Sequence, residues 1–115
     1  MKRILIVDDN AADLTQMKEF LKDKYEVETA ISSKDAAELI TQAFDVYLLD
    51  IILEKTAGNY IAQKIRDGFG IIPKIIYVSL KPKSDLTETD LKISNGFIQK
   101  PFSKEQLIAE IENQL

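Results

Sequence analysis

The chain has 115 residues, of which 45% are hydrophobic and 30% are charged, and its formal net charge is -4. This balance is typical of one soluble domain with one core, so residues 1–115 are expected to form a single domain. Cysteine and histidine are both absent, which excludes disulfides, thiol nucleophiles and acid–base catalysis by histidine. The acidic charge argues against direct nucleic-acid binding, and no apolar run has the length of a membrane span. We therefore expect a cytoplasmic protein with no membrane partner.

Short apolar runs predict the β-strands. Four of them are continuous, at residues 4–7, 46–49, 75–78 and 97–98, and a fifth segment, residues 25–29, alternates between polar and apolar positions. A continuous run indicates a strand that is buried on both faces, whereas alternation indicates a strand with one exposed face. The first, third and fourth strands in chain order are therefore expected at the centre of a sheet, with the second and the short fifth strand at its edges.

Between these runs, apolar residues recur at the spacing of an amphipathic helix. The stripes are Leu14, Met17 and Leu21; Ala36, Ala37, Leu39, Ile40 and Ala43, after Ser32 as N-cap; Ile61 and Ile65, ended by Gly68 and Gly70; and Leu107, Ile108, Ile111 and Leu115. The last stripe follows Ser103-Lys104-Glu105-Gln106, which is the pattern of a capping box. Residues 83–93 are also expected to be helical, although their apolar residues are sparse.

This order of elements is a βα unit repeated five times, which predicts a parallel sheet with helices on both faces. Right-handed crossovers and two edge strands favour the spatial strand order 2-1-3-4-5. The predicted fold is therefore a doubly wound (βα)5, flavodoxin-like three-layer α/β sandwich around a five-stranded parallel sheet. In such sheets the ligand lies beyond the carboxyl ends of the strands where the strand order reverses, which is here between the first and third strands.

Polar residues follow the strands that border this point. The first strand ends at Asp8 and Asp9, the third at Asp50 and the fourth at Ser79, and the fifth runs into Lys100. Each alone has an ordinary structural explanation, because strand-end acids often cap the next helix and a lone lysine is usually a solvated charge. Together they would place three carboxylates, a hydroxyl and an amine at one edge of the sheet.

The chemistry of such a cluster is specific. Three carboxylates within a few ångströms repel one another, and without a cation at least one would be pushed toward protonation. Mg²⁺ (or Mn²⁺) prefers oxygen ligands and relieves that conflict. A carboxylate can also attack phosphorus and form an aspartyl phosphate. Such a transfer depends mainly on positioning and on neutralising charge, which a metal ion, a lysine and a serine hydroxyl supply.

Four motifs give the chain a resemblance to the receiver domains of bacterial and archaeal two-component response regulators, and the resemblance covers essentially the whole chain. They are Ile4-Leu5-Ile6-Val7-Asp8-Asp9-Asn10; Leu48-Leu49-Asp50 with Gly58 eight residues later; Tyr77-Val78-Ser79; and Gly96-Phe97-Ile98-Gln99-Lys100-Pro101-Phe102. Each motif alone is a weak signal, but the four in this order and spacing are highly specific.

The resemblance implies a role for each acid. Asp50 is the residue that accepts the phosphoryl group. Asp9 and Asp50 ligate Mg²⁺ directly, and Asp8 acts largely through a water. The backbone carbonyl of Ile52 completes the protein ligands.

The same resemblance assigns the remaining site residues. Lys100 pairs with the phosphoryl oxygens, and its peptide bond to Pro101 is expected to be cis. Ser79 is the switch hydroxyl that moves toward the phosphoryl group, and Phe97 is the aromatic residue whose rotamer reports that movement.

The resemblance further implies a signalling domain that catalyses only its own phosphorylation and dephosphorylation. Its donor would be a sensor histidine kinase or a histidine phosphotransfer protein. It would signal to a downstream output protein or domain through the face of the fourth helix, fifth strand and fifth helix.

Three other interpretations remain open. A receiver-like interaction module that works without phosphorylation has the same fold, but is usually expected to have lost an acid or the lysine. A phosphohydrolase of the haloacid-dehalogenase type also ends its first strand with an aspartate nucleophile. It requires a second acid two residues later, where this chain has Asn10. A flavodoxin-like binding module is compatible with the fold, although no phosphate loop follows Val7.

The chain also departs from the receiver pattern at Glu54, where proline is common, and at Leu80, where a small residue is usual.

Overall fold

The computed structural model describes residues 1–53 and 56–115, and of residues 52, 53 and 56–59 it describes the backbone only. The strands in chain order are β1 (Arg3–Val7), β2 (Glu26–Ala30), β3 (Val46–Asp50), β4 (Ile52–Leu53), β5 (Thr56–Ala57), β6 (Lys74–Ser79) and β7 (Gly96–Gln99). Five of them form one sheet in the order β2-β1-β3-β6-β7, and every neighbouring pair in that sheet is parallel. The predicted order 2-1-3-4-5 and the predicted fold class are confirmed.

A short antiparallel pair, β4 and β5, lies outside the main sheet. The sequence analysis did not predict this pair, because two-residue strands are too short to show a hydrophobic period. The departure at Glu54 falls between these strands and lies outside the described residues.

Within the described residues, five α-helices alternate with the strands of the main sheet. They are α1 (Ala11–Leu21), α2 (Ser33–Leu39), α3 (Gly58–Phe69), α4 (Glu88–Ile93) and α5 (Lys104–Gln114). The predicted N-caps at Ser32 and Ser103 are confirmed, since each hydroxyl accepts a hydrogen bond from the backbone N–H three residues on. These caps satisfy N–H groups that have no partner within the helix, which fixes where each helix begins.

The structure corrects the end of the second helix, decides between the two glycines predicted to end the third, and exposes one residue predicted on the buried face of the fifth. The second stripe extended to Ala43, but α2 ends at Leu39. The third helix continues through Gly68 to Phe69 and ends before Gly70, whose φ of 71° is the left-handed conformation that glycine adopts readily at helix ends. Leu115, expected on the buried stripe of α5, is 52% exposed at the end of the chain.

Residues 83–93 do not form one continuous helix. They form a 3-10 turn at Lys83–Asp85 and then α4, because Thr87 and Asp90 make a capping box that starts a new helix at Glu88. An N-cap requires extended backbone, and Thr87 has it, with φ -78° and ψ 167°. A hydrogen-bonded start at Thr87 therefore excludes a helix that runs through it.

Two hydrophobic clusters cover the two faces of the sheet. Side chains of β1 alternate between them: Leu5 and Val7 pack on the side of α2, α3 and α4, whereas Ile4 and Ile6 pack on the side of α1 and α5. The alternation follows from the two-residue repeat of a strand. The strands predicted to be central, β1, β3 and β6, are buried at all but one terminal residue each, and β2, whose exposure alternates, lies at an edge as predicted. The result is a three-layer α/β sandwich.

Candidate functional site

The carboxyl ends of β1 and β3 lie side by side at the point where the strand order reverses. Val7 pairs in register with Leu49, so the residues that follow each of them, Asp8 and Asp50, emerge together. The chain leaves β1 for α1 on one face of the sheet, and α3 packs on the other face. This separation opens the crevice in which doubly wound folds bind ligands.

The three predicted acids meet in this crevice. Asp8, Asp9 and Asp50 each offer a carboxylate oxygen, and these oxygens all lie within 4.8 Å of one another. Asp8 is fully buried, Asp50 is partly buried and Asp9 is exposed. One oxygen of Asp8 accepts a hydrogen bond from the backbone N–H of Asn10 at 2.9 Å. A set of clustered carboxylate oxygens at the mouth of a crevice suits a hard divalent cation.

Lys100 lies among these acids, as the sequence analysis predicted. Its Nζ donates a hydrogen bond to Asp8 Oδ2 at 2.7 Å and lies 3.5 Å from Asp50 Oδ2. The backbone N–H of Lys100 donates to the carbonyl of Ser79 at 2.7 Å, which fixes the chain at the end of β7. The peptide bond between Lys100 and Pro101 is cis, as the resemblance implies.

The ammonium of Lys100 stays charged because of its acidic neighbours. Burial lowers its pKa, but hydrogen bonds to Asp8 and Asp13 and the charges of Asp8 and Asp50 outweigh burial, so the pKa lies above its ordinary value. A permanent cation therefore sits beside Asp50, and it can neutralise charge on an anion bound there.

Asp13 belongs to the same cluster, and the sequence analysis missed it. Its Oδ2 accepts a second hydrogen bond from Lys100 Nζ, at 2.9 Å. Asp13 lies in the first turn of α1, where an acid is common for reasons of helix stability alone. The sequence signal that could have identified Asp13 is its position four residues after Asp9. This position places it in the first turn of α1, next to the strand ends.

Ser79 and Phe97 lie on the two strands beyond β3. Ser79 is buried at the end of β6, and its hydroxyl accepts a hydrogen bond from the backbone N–H of Lys81 at 3.0 Å. Ser79 pairs in register with Gln99, two residues after Phe97 on β7. Phe97 is half-buried against the cluster on the side of α3 and α4. The backbone of Ile52 is in β4, and the role of its carbonyl as a ligand stays a prediction.

Comparison with known proteins places the chain in a family. The model of the response regulator receiver domain matches residues 4–112. The chain therefore belongs to the response regulator receiver domain family, whose members are the phosphoacceptor domains of two-component signalling. No helix within residues 1–53 and 56–115 is long and apolar enough to cross a membrane.

Individual relatives agree with this assignment. The chain is 32% identical to the response regulator SaeR of Staphylococcus epidermidis over 118 residues, which cover all of this chain and 51% of SaeR. It is 37% identical to the nisin biosynthesis regulatory protein NisR of Lactococcus lactis over 113 residues, which cover 96% of this chain and 48% of NisR. The chain thus spans about half the length of these relatives.

A solved structure also matches at full length. The response regulator TrrA of Thermotoga maritima, determined in complex with Mg²⁺ and BeF, has a TM-score of 0.86 and 28% identity, with 100% of each chain covered. The likeness therefore extends over the whole fold.

The buried ion pair should make Lys100 important for stability. Replacing it in Lys100→Met leaves the buried carboxylate of Asp8 without its cation, and we expect the free energy of unfolding to fall by about 2 kcal/mol. The control is Lys24→Met, which removes an exposed lysine 3.9 Å from Glu112 and should cost less than about 1 kcal/mol. Urea unfolding followed by circular dichroism, in buffer without divalent cations, measures both. Equal losses in the two variants would show that the buried pair contributes nothing particular.

Proposed function

We propose that this domain accepts a phosphoryl group on Asp50 from a phosphohistidine donor, in a reaction that depends on Mg²⁺. The observation that carries the proposal is the position of Asp50 at the open edge of the sheet, where its carboxylate lies within 4.8 Å of oxygens of Asp8 and Asp9 and 3.5 Å from Lys100 Nζ. The relative TrrA, which binds Mg²⁺ and BeF in its solved structure, supports the same chemistry here.

The donor set fits a magnesium ion. Asp9 and Asp50 would ligate the metal directly, and the carbonyl of Ile52 would add a third protein ligand. Both oxygens of Asp8 already accept hydrogen bonds, from Asn10 and Lys100, which agrees with an indirect role through a water. When bound, the ion supplies positive charge that neutralises oxygens of the transferred phosphoryl group.

The protein's own residues perform the rest of the transfer. A carboxylate oxygen of Asp50 attacks phosphorus, the new O–P bond forms, and the P–N bond to the donor imidazole breaks with its electron pair left on nitrogen. Lys100 neutralises one phosphoryl oxygen, and the hydroxyl of Ser79 hydrogen-bonds another. The domain is thus a signalling module that promotes its own phosphorylation and dephosphorylation and turns over no separate substrate.

The partners follow from this chemistry. The donor would be a sensor histidine kinase or a histidine phosphotransfer protein, and the exchange would take place in the cytoplasm. The receptor of the signal would be a downstream output protein or domain. Residues 1–115 would act as a single receiver domain.

The output face would consist of α4, β7 and α5. Ser79 exchanges its hydrogen bond from Lys81 for one to the phosphoryl group, and Phe97 then repacks against the side of α4. Ser79 is joined to β7 through its pairing with Gln99 and through its carbonyl, which accepts a hydrogen bond from the backbone N–H of Lys100, the residue after β7. The site and the face would thus be two ends of one two-state element.

Phosphorylation of Asp50 can be tested by mass. Incubation with phosphoramidate should add one phosphoryl group to the wild-type chain in the presence of Mg²⁺ and none in its absence, as measured by intact mass spectrometry. Asp50→Asn should keep the fold and gain no mass, because an amide is a poor nucleophile. Asp35→Asn, which changes an acid in the first turn of α2, is the control and should load like the wild type. If Asp50→Asn still gains the mass, another residue is the acceptor; if the wild type gains none, the phosphorylation-independent module is favoured.

Mg²⁺ should raise the melting temperature. The acids are brought together only in the folded state, so binding stabilises that state by about 1.4 kcal/mol at a free ion concentration near ten times Kd. Calorimetry measures the shift, and it suits this chain because tryptophan is absent. Asp9→Ala should abolish the shift and Asp35→Ala should retain it. If Mg²⁺ leaves the melting temperature unchanged in the wild type and in both variants, the result would argue against a metal site.

The output face should respond to phosphorylation in solution. Amide chemical shifts should change at Phe97 and across residues 85–93, in addition to the neighbours of Asp50. Ser79→Ala should retain the changes near Asp50 and lose those at Phe97, because the variant lacks the hydroxyl that joins the two regions. Changes confined to the aspartate cluster in the wild type would mean that the domain has no such switch.

A further inference from the structure

Lys100 forms hydrogen bonds to two acids, one of which is buried and the other partly exposed. Its Nζ lies 2.7 Å from Asp8 Oδ2, 2.9 Å from Asp13 Oδ2 and 3.5 Å from Asp50 Oδ2. The first two distances are ordinary charged hydrogen bonds, whereas the third is at the outer limit for one. The ammonium is therefore drawn toward Asp13 and away from the carboxylate that the proposed function requires it to assist.

The two bonds differ in how easily they break. The side chain of Asp8 is 0% exposed, so losing Lys100 would leave a buried charge unpaired, which is costly. The side chain of Asp13 is 34% exposed, so water can replace the lysine there. If Lys100 moves toward a phosphoryl group on Asp50, it therefore keeps Asp8 and gives up Asp13.

Asp13 itself is held in place by the start of α1. Asn10 caps the helix by accepting a hydrogen bond from the backbone N–H of Asp13 at 3.0 Å. The carboxylate of Asp13 takes no part in that cap, and it accepts a hydrogen bond from Lys100. The cap thus fixes the backbone of Asp13 at the start of α1, and its carboxylate extends toward Lys100.

We infer that Asp13 is a positioning residue that holds the Lys100 ammonium back from Asp50 and so limits how strongly the domain engages a phosphoryl group. The inference rests on the proposed function and adds a determinant of its rate. Neutralising Asp13 releases Lys100 toward Asp50, which strengthens its contact with a bound anion and with the transferred phosphoryl group. A partly exposed ion pair contributes little free energy, so we expect its loss to change the loading rate and the anion affinity by about threefold.

Two solution measurements test the inference, both on the full chain with saturating Mg²⁺. The first is the rate of loading from phosphoramidate, followed by intact mass. The second is the affinity for beryllofluoride, measured by calorimetry. Asp13→Asn should raise both by about threefold, and Asp13→Glu, which restores the carboxylate, should return both toward the wild-type values.

Asp35→Asn is a matched control. Asp35 stands three residues after its N-cap in α2, just as Asp13 does in α1, and in both helices the cap accepts from the backbone N–H of the acid. The two substitutions therefore change net charge and helix stability alike, but only Asp13 contacts Lys100. Asp35→Asn should change neither the loading rate nor the affinity.

A crystal structure of Asp13→Asn separates positioning from simple repulsion between Asp13 and the anion. Positioning requires Lys100 Nζ to move within about 3 Å of an Asp50 oxygen, a normal hydrogen-bond distance. The inference is wrong if the ammonium stays where it is, if Asp13→Asn loads no faster than the wild type, if Asp13→Glu behaves like Asp13→Asn, or if Asp35→Asn gives the same gain. A wild-type chain that never gains a phosphoryl group would instead refute the proposed function.

Discussion

The ion pair between Lys100 and Asp8 is the contact on which the whole site depends. It joins the end of the first strand to the end of the last, 92 residues apart in the chain, and it lies where Asp8 is fully buried. Burying a carboxylate is unfavourable unless a cation and hydrogen bonds compensate it. Asp8 has both, from Lys100 and from the N–H of Asn10. The pair therefore makes a deeply placed acid tolerable and fixes the loop after β7 against the sheet.

The parallel sheet creates the electrostatic problem that this pair partly relieves. Parallel strands end at one edge, so acids that follow neighbouring strands are forced together whatever their mutual repulsion. Among the residues that the structure describes, the carboxylates of Asp8, Asp9 and Asp50 cluster together, and the ammonium of Lys100 lies within 4 Å of those of Asp8, Asp13 and Asp50. The negative excess favours a further cation, and a site that binds a cation beside a lysine is suited to receive a phosphoryl group. The proposed phosphoryl transfer would thus depend on the topology of the sheet.

The same contacts separate a rigid part of the site from an adjustable one. Asp8 and the backbone link from Lys100 to Ser79 are buried and cannot shift without exposing charge or breaking the end of β7. Asp13 and Leu80 lie at the rim of the site, where the side chain of Asp13 is 34% exposed and Leu80 is 72% exposed. Substitutions at the rim can therefore change how the site works while the fold stays intact.

The sequence by itself determined the five strands of the main sheet, their order and most of the polar residues that meet at its carboxyl edge. Continuous apolar runs such as residues 4–7 identify buried parallel strands, and residues that end such strands, Asp8, Asp9, Asp50 and Lys100, must share one edge. Only the tertiary structure decided the division of residues 83–93 at Thr87 and the inclusion of Asp13. Both depend on side-chain hydrogen bonds, one local and one across 87 residues. Hydrophobic periodicity records which face of an element is buried, but it carries no information about which polar atoms on the exposed face find each other.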